Sequence, residues 1–415
     1  MIIAVVRENF PGEQRVALIP ASLAPLQKAG AEILVETGAG VAAGFLDADY
    51  EAAGAKIVSS RADAFAQSDI VFQVRSLGAN PEAGRVDLDL VKPGQILVGG
   101  CDPLGNPAAI GEMAGKQATQ FALELIPRIT RAQSMDMLSS QATISGYRAV
   151  LIAAIELPKI FPMLMTAAGT LKPAKVFVIG AGVAGLQAIA TAKRLGAVVL
   201  GYDVRKEAQE QIESLGGKAV DFHLESSGAQ DKGGYAKDLG EDFYKKQREF
   251  MADTVRECDI VITTAAIPGK KSPLLVTTDA VNGMRPGSVL VDLAAERGGN
   301  IEPSQADTRV EHNGVLILGP TNLPSEVPQH ASQMFSSNIT KFLLNMVKDR
   351  ELKMNSEDEI IASTLVARDG EVVHHRIREM LGLAANEPPQ SPAENDKIPL
   401  DGDDEPAPPS EGNAT

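Results

Sequence analysis

Residues 174–203 read AKVFVIGAGVAGLQAIATAKRLGAVVLGYD, and their order decides the fold. An apolar run, Val176 to Ile179, ends in Gly180, Gly182 and Gly185 with G-x-G-x-x-G spacing. A helix-compatible segment follows, then a second apolar run, Val198 to Leu200, that closes on Asp203. Gly180 permits a tight turn, Gly182 lets the backbone approach a pyrophosphate, and Gly185 allows the helix to pack on the strand. The free N–H groups at the helix start face the phosphates. Asp203 lies 21 residues beyond Gly182, where a carboxylate accepts from the adenosine ribose hydroxyls and repels a 2′-phosphate. The unit therefore reads as a dinucleotide site that takes NAD(H) in preference to NADP(H).

Outward from this unit, apolar and amphipathic segments alternate. Candidate strands in the first 140 residues are Ile2–Val6, Ile33–Val35, Ile70–Val74, Ile96–Val98 and Phe121–Leu125, with helical stretches such as Ala21–Ala29 and Ala62–Ala66 between them. Beyond the glycines, 259–265, 288–294 and 315–319 read as buried strands. Helices are expected over Ser145–Leu157, Ala331–Val347 and Val373–Leu383. Such alternation builds α/β domains with parallel sheets. The expected fold is two doubly wound parallel-sheet domains. The first spans 1–140 plus 320–383, and the second, a Rossmann domain over 141–319, is inserted into it. Gly216–Phe250 has few apolar residues and reads as a surface excursion that opens and closes. The tail 386–415 holds seven prolines and eight acidic residues against one lysine, and is expected to be disordered.

A chain of 415 residues with 44% apolar and 22% charged residues accommodates two or three globular domains. Its net charge of -15, with no basic cluster, argues against nucleic acid as a partner. Cys101 and Cys258 are too few for a disulfide scaffold and read as buried thiols of a cytoplasmic protein. The N-terminus lacks a signal-peptide pattern. Ala149–Met165, interrupted by Glu156, Pro158, Lys159 and Pro162, reads as a buried helix and not a membrane span. No metal centre is expected.

Two further stretches, RENFPGEQRVALIP (7–20) and RITRAQSMDMLSS (128–140), resemble the alanine dehydrogenase and transhydrogenase superfamily, over roughly residues 1–383. Within it the chain resembles the NAD(H)-binding component of proton-translocating transhydrogenases. That resemblance implies that Arg128, Gln133, Asp136 and Ser139 hold the nicotinamide and carry the catalytic positioning. It also likens GGYAK (233–237) to a mobile loop and implies cofactor contacts from Gly234, Tyr235 and Gln247. The expected contacts further include Ile129, Thr130, Ser134, Met135, Val183, Val204, Arg205 and Ala266, beside the three glycines and Asp203. Arg205 is expected over the adenine or in solvent. A carboxamide offers one acceptor and an NH2 donor, so Arg128 and Ser139 suit its oxygen and Asp136 its nitrogen. Gln133 can do either, and could reach a second nucleotide.

The dehydrogenase branch of that superfamily uses a His of its first domain and a Lys. This chain has no His before His223, places VGGCDP (98–103) where the His is expected, and has Arg75 roughly where the Lys would lie. Oxidative deamination needs a proton acceptor near neutral pKa, whereas direct hydride transfer needs only two rings in register. The resemblance thus implies an NAD(H)-binding subunit that exchanges hydride with NADP(H) held by a partner. It also implies a homodimer docked with membrane subunits on the cytoplasmic side of the inner membrane. An amino-acid dehydrogenase and a non-catalytic NAD sensor are the competing readings.

Overall fold

The computed structural model describes residues 1–221, 241–267 and 269–385. The first sheet has the order Glu371–Val372, Leu365–Arg368, Thr119–Ala122, Ile96–Gly100, Ile70–Arg75, Ile2–Val5, Glu32–Glu36, Lys56–Val58. The six N-terminal strands are parallel, and numbered along the chain they run 3-2-1-4-5-6, the doubly wound order. The second sheet runs Lys218–Ala219, Val198–Tyr202, Lys175–Ile179, Ile260–Thr263, Val289–Asp292, Val315–Leu318, with Arg309–His312 antiparallel at its edge; numbered along the chain this is 3-2-1-4-5-7-6, which repeats the 3-2-1-4-5 of the first sheet. The α/β fold class read from the sequence is the one observed, with antiparallel edge strands added.

Both sheets are covered on two faces, which is why their strands are apolar throughout. Ile3, Val5, Ile33 and Phe72 pack on one side with Phe335, Phe342 and Leu343 of the helix Pro328–Met346. Their neighbours Ala4, Leu34 and Val71 pack on the other with Phe65 and Met113. In the second sheet Val176 and Val178 face Ala188 and Ile189 of the helix Val183–Arg194, while Phe177 and Ile179 face Met251 and Val255.

The helix Met137–Glu156 joins the two halves. It packs along Val183–Arg194 and also touches Pro328–Met346. The closest approach to the former is at Gly146, where a Cβ would fall on the Ala184 carbonyl oxygen. This helix begins eight residues before the expected Ser145, because the Asp136 carboxylate caps it by accepting the Ser139 N–H at 2.9 Å. Its first two turns, rich in Ser, Gln and Thr, carry no apolar periodicity to announce them.

Two expectations need correction. Ala149–Met165 is not one buried helix. The helix ends at Glu156, before Pro158, and 164–171 form an exposed hairpin (Leu164–Thr166 paired with Gly169–Leu171) on which Met165 is 77% exposed. Gly216–Phe250 is not an excursion throughout. Lys218–Ala219 extends the sheet, and Glu241–Arg256 is a helix that buries Gln247, Met251 and Val255, spaced four apart on one face. Gly233, Gly234, Tyr235 and Gly240, together with His223 and the tail 386–415, lie outside the described residues.

Candidate functional site

The glycine-rich corner sits where the strand order of the second sheet reverses, between Ile179 and Thr263. Gly180 has φ +97°, and a Cβ there would stand 2.5 Å from Thr264 Oγ1. That hydroxyl donates to the Gly180 carbonyl at 3.0 Å. A Cβ on Gly185 would fall on the same carbonyl oxygen. Gly182 differs: a Cβ there meets nothing within 4 Å. It is also the N-cap of Val183–Arg194, and no side chain caps its first N–H groups. Open space against uncapped N–H groups is the geometry an anion requires. Val183, 38% exposed, and Ala266 face solvent at this corner. The preceding Ala265 is held in both directions by buried Asn300, whose Oδ1 accepts Ala265 N–H at 3.0 Å and whose Nδ2 donates to its carbonyl at 2.9 Å.

Asp203 closes the strand Val198–Tyr202, followed by half-buried Val204. Its Oδ2 accepts from Ala181 N–H at 2.7 Å and Arg205 Nη2 at 2.9 Å, and its Oδ1 from Arg205 N–H at 2.9 Å and Nε at 2.8 Å. A carboxylate has about four acceptor sites, so these donors saturate it. Of the two placements expected for Arg205, solvent is therefore the one it does not take. It is folded back on Asp203, because a carboxylate two residues away matches its fork. That hydrogen bond raises the guanidinium pKa. Nearby, buried Gln247 donates to the Tyr202 hydroxyl at 2.9 Å while its Oε1 has no partner.

The second stretch, Thr130–Met135, is a 3-10 turn leading into Asp136. Ala132 and Met135 pack their side chains into the first core. Gln133, Ser134, Arg128 and Thr130 are exposed, and Ile129 packs partly against the core. Asp136 Oδ2 accepts the Ser139 hydroxyl at 2.6 Å, leaving acceptor capacity on the carboxylate. The turn borders a cleft of about 340 Å³ lined by Gln133, Ser134, Asp136, Ser139, Ser140 and Thr143. The opposite wall is Met334, Ser337, Asn338 and Lys341 of the helix Pro328–Met346. Asn338 pins the walls together, donating to the Ser134 carbonyl at 3.0 Å and accepting from the Ser140 hydroxyl at 2.7 Å. Ser139 lies seven residues before Gly146, so cleft and glycine corner are about 10 Å apart along one helix.

At the matching edge of the first sheet stands a charged cluster, built from the 7–20 stretch and Arg75, whose pairing the sequence does not show. Glu13 accepts from Arg15 at 2.6 Å and Arg75 at 3.3 Å. Burial pushes its carboxyl up, but the Arg15 hydrogen bond and both guanidinium charges prevail and hold it at about 2. Glu8 accepts from Val74 N–H at 2.6 Å and Arg75 N–H at 3.1 Å; burial and Glu13 push it up to about 8. The 98–103 segment ends beside Glu124, whose Oε1 accepts the Cys101 and Asp102 N–H groups, both at 2.7 Å, while its Oε2 is buried without a partner. Burial pushes this carboxyl to about 7. Asp102 pairs with Arg297, across from the first sheet to the second half of the molecule. Glu124 and the helix wall belong to no motif read from the sequence, and the role of Glu8, within the 7–20 stretch, becomes visible only through its burial.

Two family models match the chain: alanine dehydrogenase/PNT, N-terminal domain, over residues 4–145, and alanine dehydrogenase/PNT, C-terminal domain, over 149–375. An NAD(P) transhydrogenase subunit alpha chain of Rhodospirillum rubrum is 48% identical over 377 residues, 90% of this chain and 98% of that protein. A solved transhydrogenase from Sinorhizobium meliloti superposes with a TM-score of 0.80 at 44% identity, covering 90% of this chain and 100% of that one. Alanine dehydrogenase of Mycobacterium tuberculosis is more distant, 27% identical over 94% of this chain and 99% of that protein. The chain belongs to the alanine dehydrogenase/PNT family, among its NAD(P) transhydrogenase alpha subunits.

Proposed function

We propose that this chain binds NAD(H) and exchanges hydride directly with NADP(H) held by a partner subunit, within a proton-translocating NAD(P) transhydrogenase. The observation that carries the reading is the shared helix, which sets an open anion corner about 10 Å from a polar cleft at its N-terminus. That separation suits a dinucleotide laid with its pyrophosphate at Gly182 and its nicotinamide against Asp136 and Ser139. Bound NAD+ supplies the accepting ring carbon, and the hydride arrives with its electron pair from the partner's dihydronicotinamide, so no proton is gained or lost. The residues of this chain do the positioning. Asp136 accepts from the carboxamide nitrogen, and Arg128 and Ser139 donate to its oxygen. Exposed Gln133 reaches toward the second nucleotide. Holding two rings in contact is catalysis by orientation, for which a misplacement of about 1 Å can cost on the order of a hundredfold.

Partners enter through the same reading. No helix among the described residues is long and apolar enough to cross a membrane, so proton translocation is assigned to membrane subunits against whose cytoplasmic side this chain docks. The coupling is a linkage between proton movement and the nucleotides' contact. A homodimer is proposed because the hairpin 164–171 exposes Leu164, Met165 and Leu171, apolar area that a second copy would cover. The test is to mix the purified chain with a soluble NADP(H)-binding transhydrogenase domain. Hydride exchange between NADH and NADP+ is expected only in the mixture, and Gln133→Asn is expected to slow it far more than it weakens NADH binding. NAD+-dependent deamination of alanine by the chain alone would contradict the reading, as would NADH binding with no exchange in the mixture.

A further inference from the structure

The cleft has one wall that the roles above leave unused. Ser337 and Lys341 lie four residues apart on the helix Pro328–Met346 and so share the face turned to Gln133, Ser134 and Ser139. Lys341 is exposed, and its ammonium makes no hydrogen bond or ion pair among the described residues. Asp136, the carboxylate among the cleft's lining residues, accepts from Ser139 and forms no ion pair with Lys341. Asn338, between them and buried, fixes the helix to the loop backbone, so the base of the Lys341 side chain is set in place beside the Gln133 loop and its ammonium can reach into the cleft. A lone ammonium among hydroxyls recognises ribose and phosphate oxygens rather than an uncharged ring. The pyrophosphate of this chain's own nucleotide is already assigned to the uncapped N–H groups beyond Gly182, about 10 Å further along the shared helix.

Resting on the transhydrogenase reading, we infer that Lys341 and Ser337 receive the nicotinamide-side ribose and phosphate of the NADP(H) carried by the partner. They form the wall that sets the second nucleotide against Gln133. The ligand is an anion presented by another protein, which an exposed cation can attract through solvent before contact.

Isothermal titration calorimetry of the full chain with the soluble NADP(H)-binding domain tests this. Lys341→Glu is expected to raise the dissociation constant for the NADPH-loaded domain about tenfold, and Lys341→Arg to leave it within about twofold. Affinity for the same domain without nucleotide, and for NADH alone, is expected to change less than about twofold in either variant. Equal weakening toward loaded and empty domain would overturn the inference by placing Lys341 against partner protein. An equal loss of NADH binding would overturn it by placing Lys341 in this chain's own nucleotide site. An unchanged affinity for the loaded domain, with the unsubstituted chain active in exchange, would overturn it alone. An unsubstituted chain that neither binds nor exchanges with the loaded domain would overturn the transhydrogenase reading and this inference together.

Discussion

Where its strand order reverses, the N-terminal sheet presents Glu8, Glu13, Arg15 and Arg75; at the same place the second sheet presents Gly180, Gly182 and Gly185. Both sheets run 3-2-1-4-5, and that topology opens a crevice beyond the carboxyl ends of the strands in each. In one, Glu13 is ion-paired with Arg15 and Arg75 within the crevice. In the other, missing side chains leave backbone N–H groups facing open space. Topology locates a crevice, and the residues at its rim decide whether it is closed by the chain itself or left for a ligand.

Removing the charge that closes the first crevice is the most severe way to break the comparison. Glu13→Gln leaves buried Arg15, 6% exposed, and Arg75 without their counter-charge, an expected loss of about 3–5 kcal/mol in urea unfolding. NADH affinity is expected to stay within about twofold. A loss below about 1 kcal/mol would mean the cluster is solvated rather than structural.

The second crevice separates two glycines that a sequence pattern treats alike. Gly185→Ala drives a Cβ onto the Gly180 carbonyl and is expected to cost about 3 kcal/mol of stability. Gly182→Ala meets nothing within 4 Å and keeps extended φ/ψ, so its thermal unfolding is expected to match the unsubstituted chain. Its NADH dissociation constant is nevertheless expected to rise on the order of ten- to a hundredfold, because the methyl stands where a phosphate approaches the N–H groups.

Asp203→Asn sharpens the ligand side. The carboxylate is saturated by Ala181 and Arg205, so a ribose hydroxyl gains a place only as the guanidinium moves off. The variant removes the charge, turns one acceptor oxygen into a donor amide, and frees Arg205 toward a 2′-phosphate. The preference for NADH over NADPH is expected to narrow about tenfold, read from the two dissociation constants.

The smallest effect concerns Glu124. Its folded pKa of about 7 lies above the ordinary 4.5, so the folded chain retains a proton that the unfolded chain releases. Stability from this group is complete below pH 4.5 and declines as pH rises to about 7. Glu124→Gln keeps the Oε1 contacts to Cys101 and Asp102 and removes the titration. Differential scanning calorimetry is expected to show equal melting at pH 4.5 and a variant more stable by about 1–3 kcal/mol at pH 8. Parallel pH profiles would show that Glu124 ionises freely in the fold.

How much of this is legible in the sequence depends on the range of the interaction. The strands of both sheets are legible because burial on two faces leaves continuous apolar runs, and the glycine corner because turn, close approach and packing fall within six residues. The helix start at Met137 is hidden, since a polar first turn capped by Asp136 has no apolar period. The pairing of Arg205 with Asp203 is hidden in the sequence, because partner choice depends on local geometry that spacing does not encode. Leu365–Arg368 pairs with Thr119–Ala122 from more than two hundred residues away, and Ser337, Asn338 and Lys341 reach the Gln133 loop across a similar gap. No short pattern can report such neighbours. Glu8 and Glu124 are ordinary acids in sequence, and burial alone sets them apart.

The central claim is direct transfer between a nucleotide on this chain and one on its partner. Combining the chain, NAD+ and the soluble NADP(H)-binding domain loaded with NADPH deuterated at its transferring carbon measures that most directly, with the products read by mass spectrometry. Direct transfer puts deuterium in the NADH formed and none in the solvent, and is lost when either protein is omitted. Deuterium appearing in water, or NADH forming without label, would contradict it.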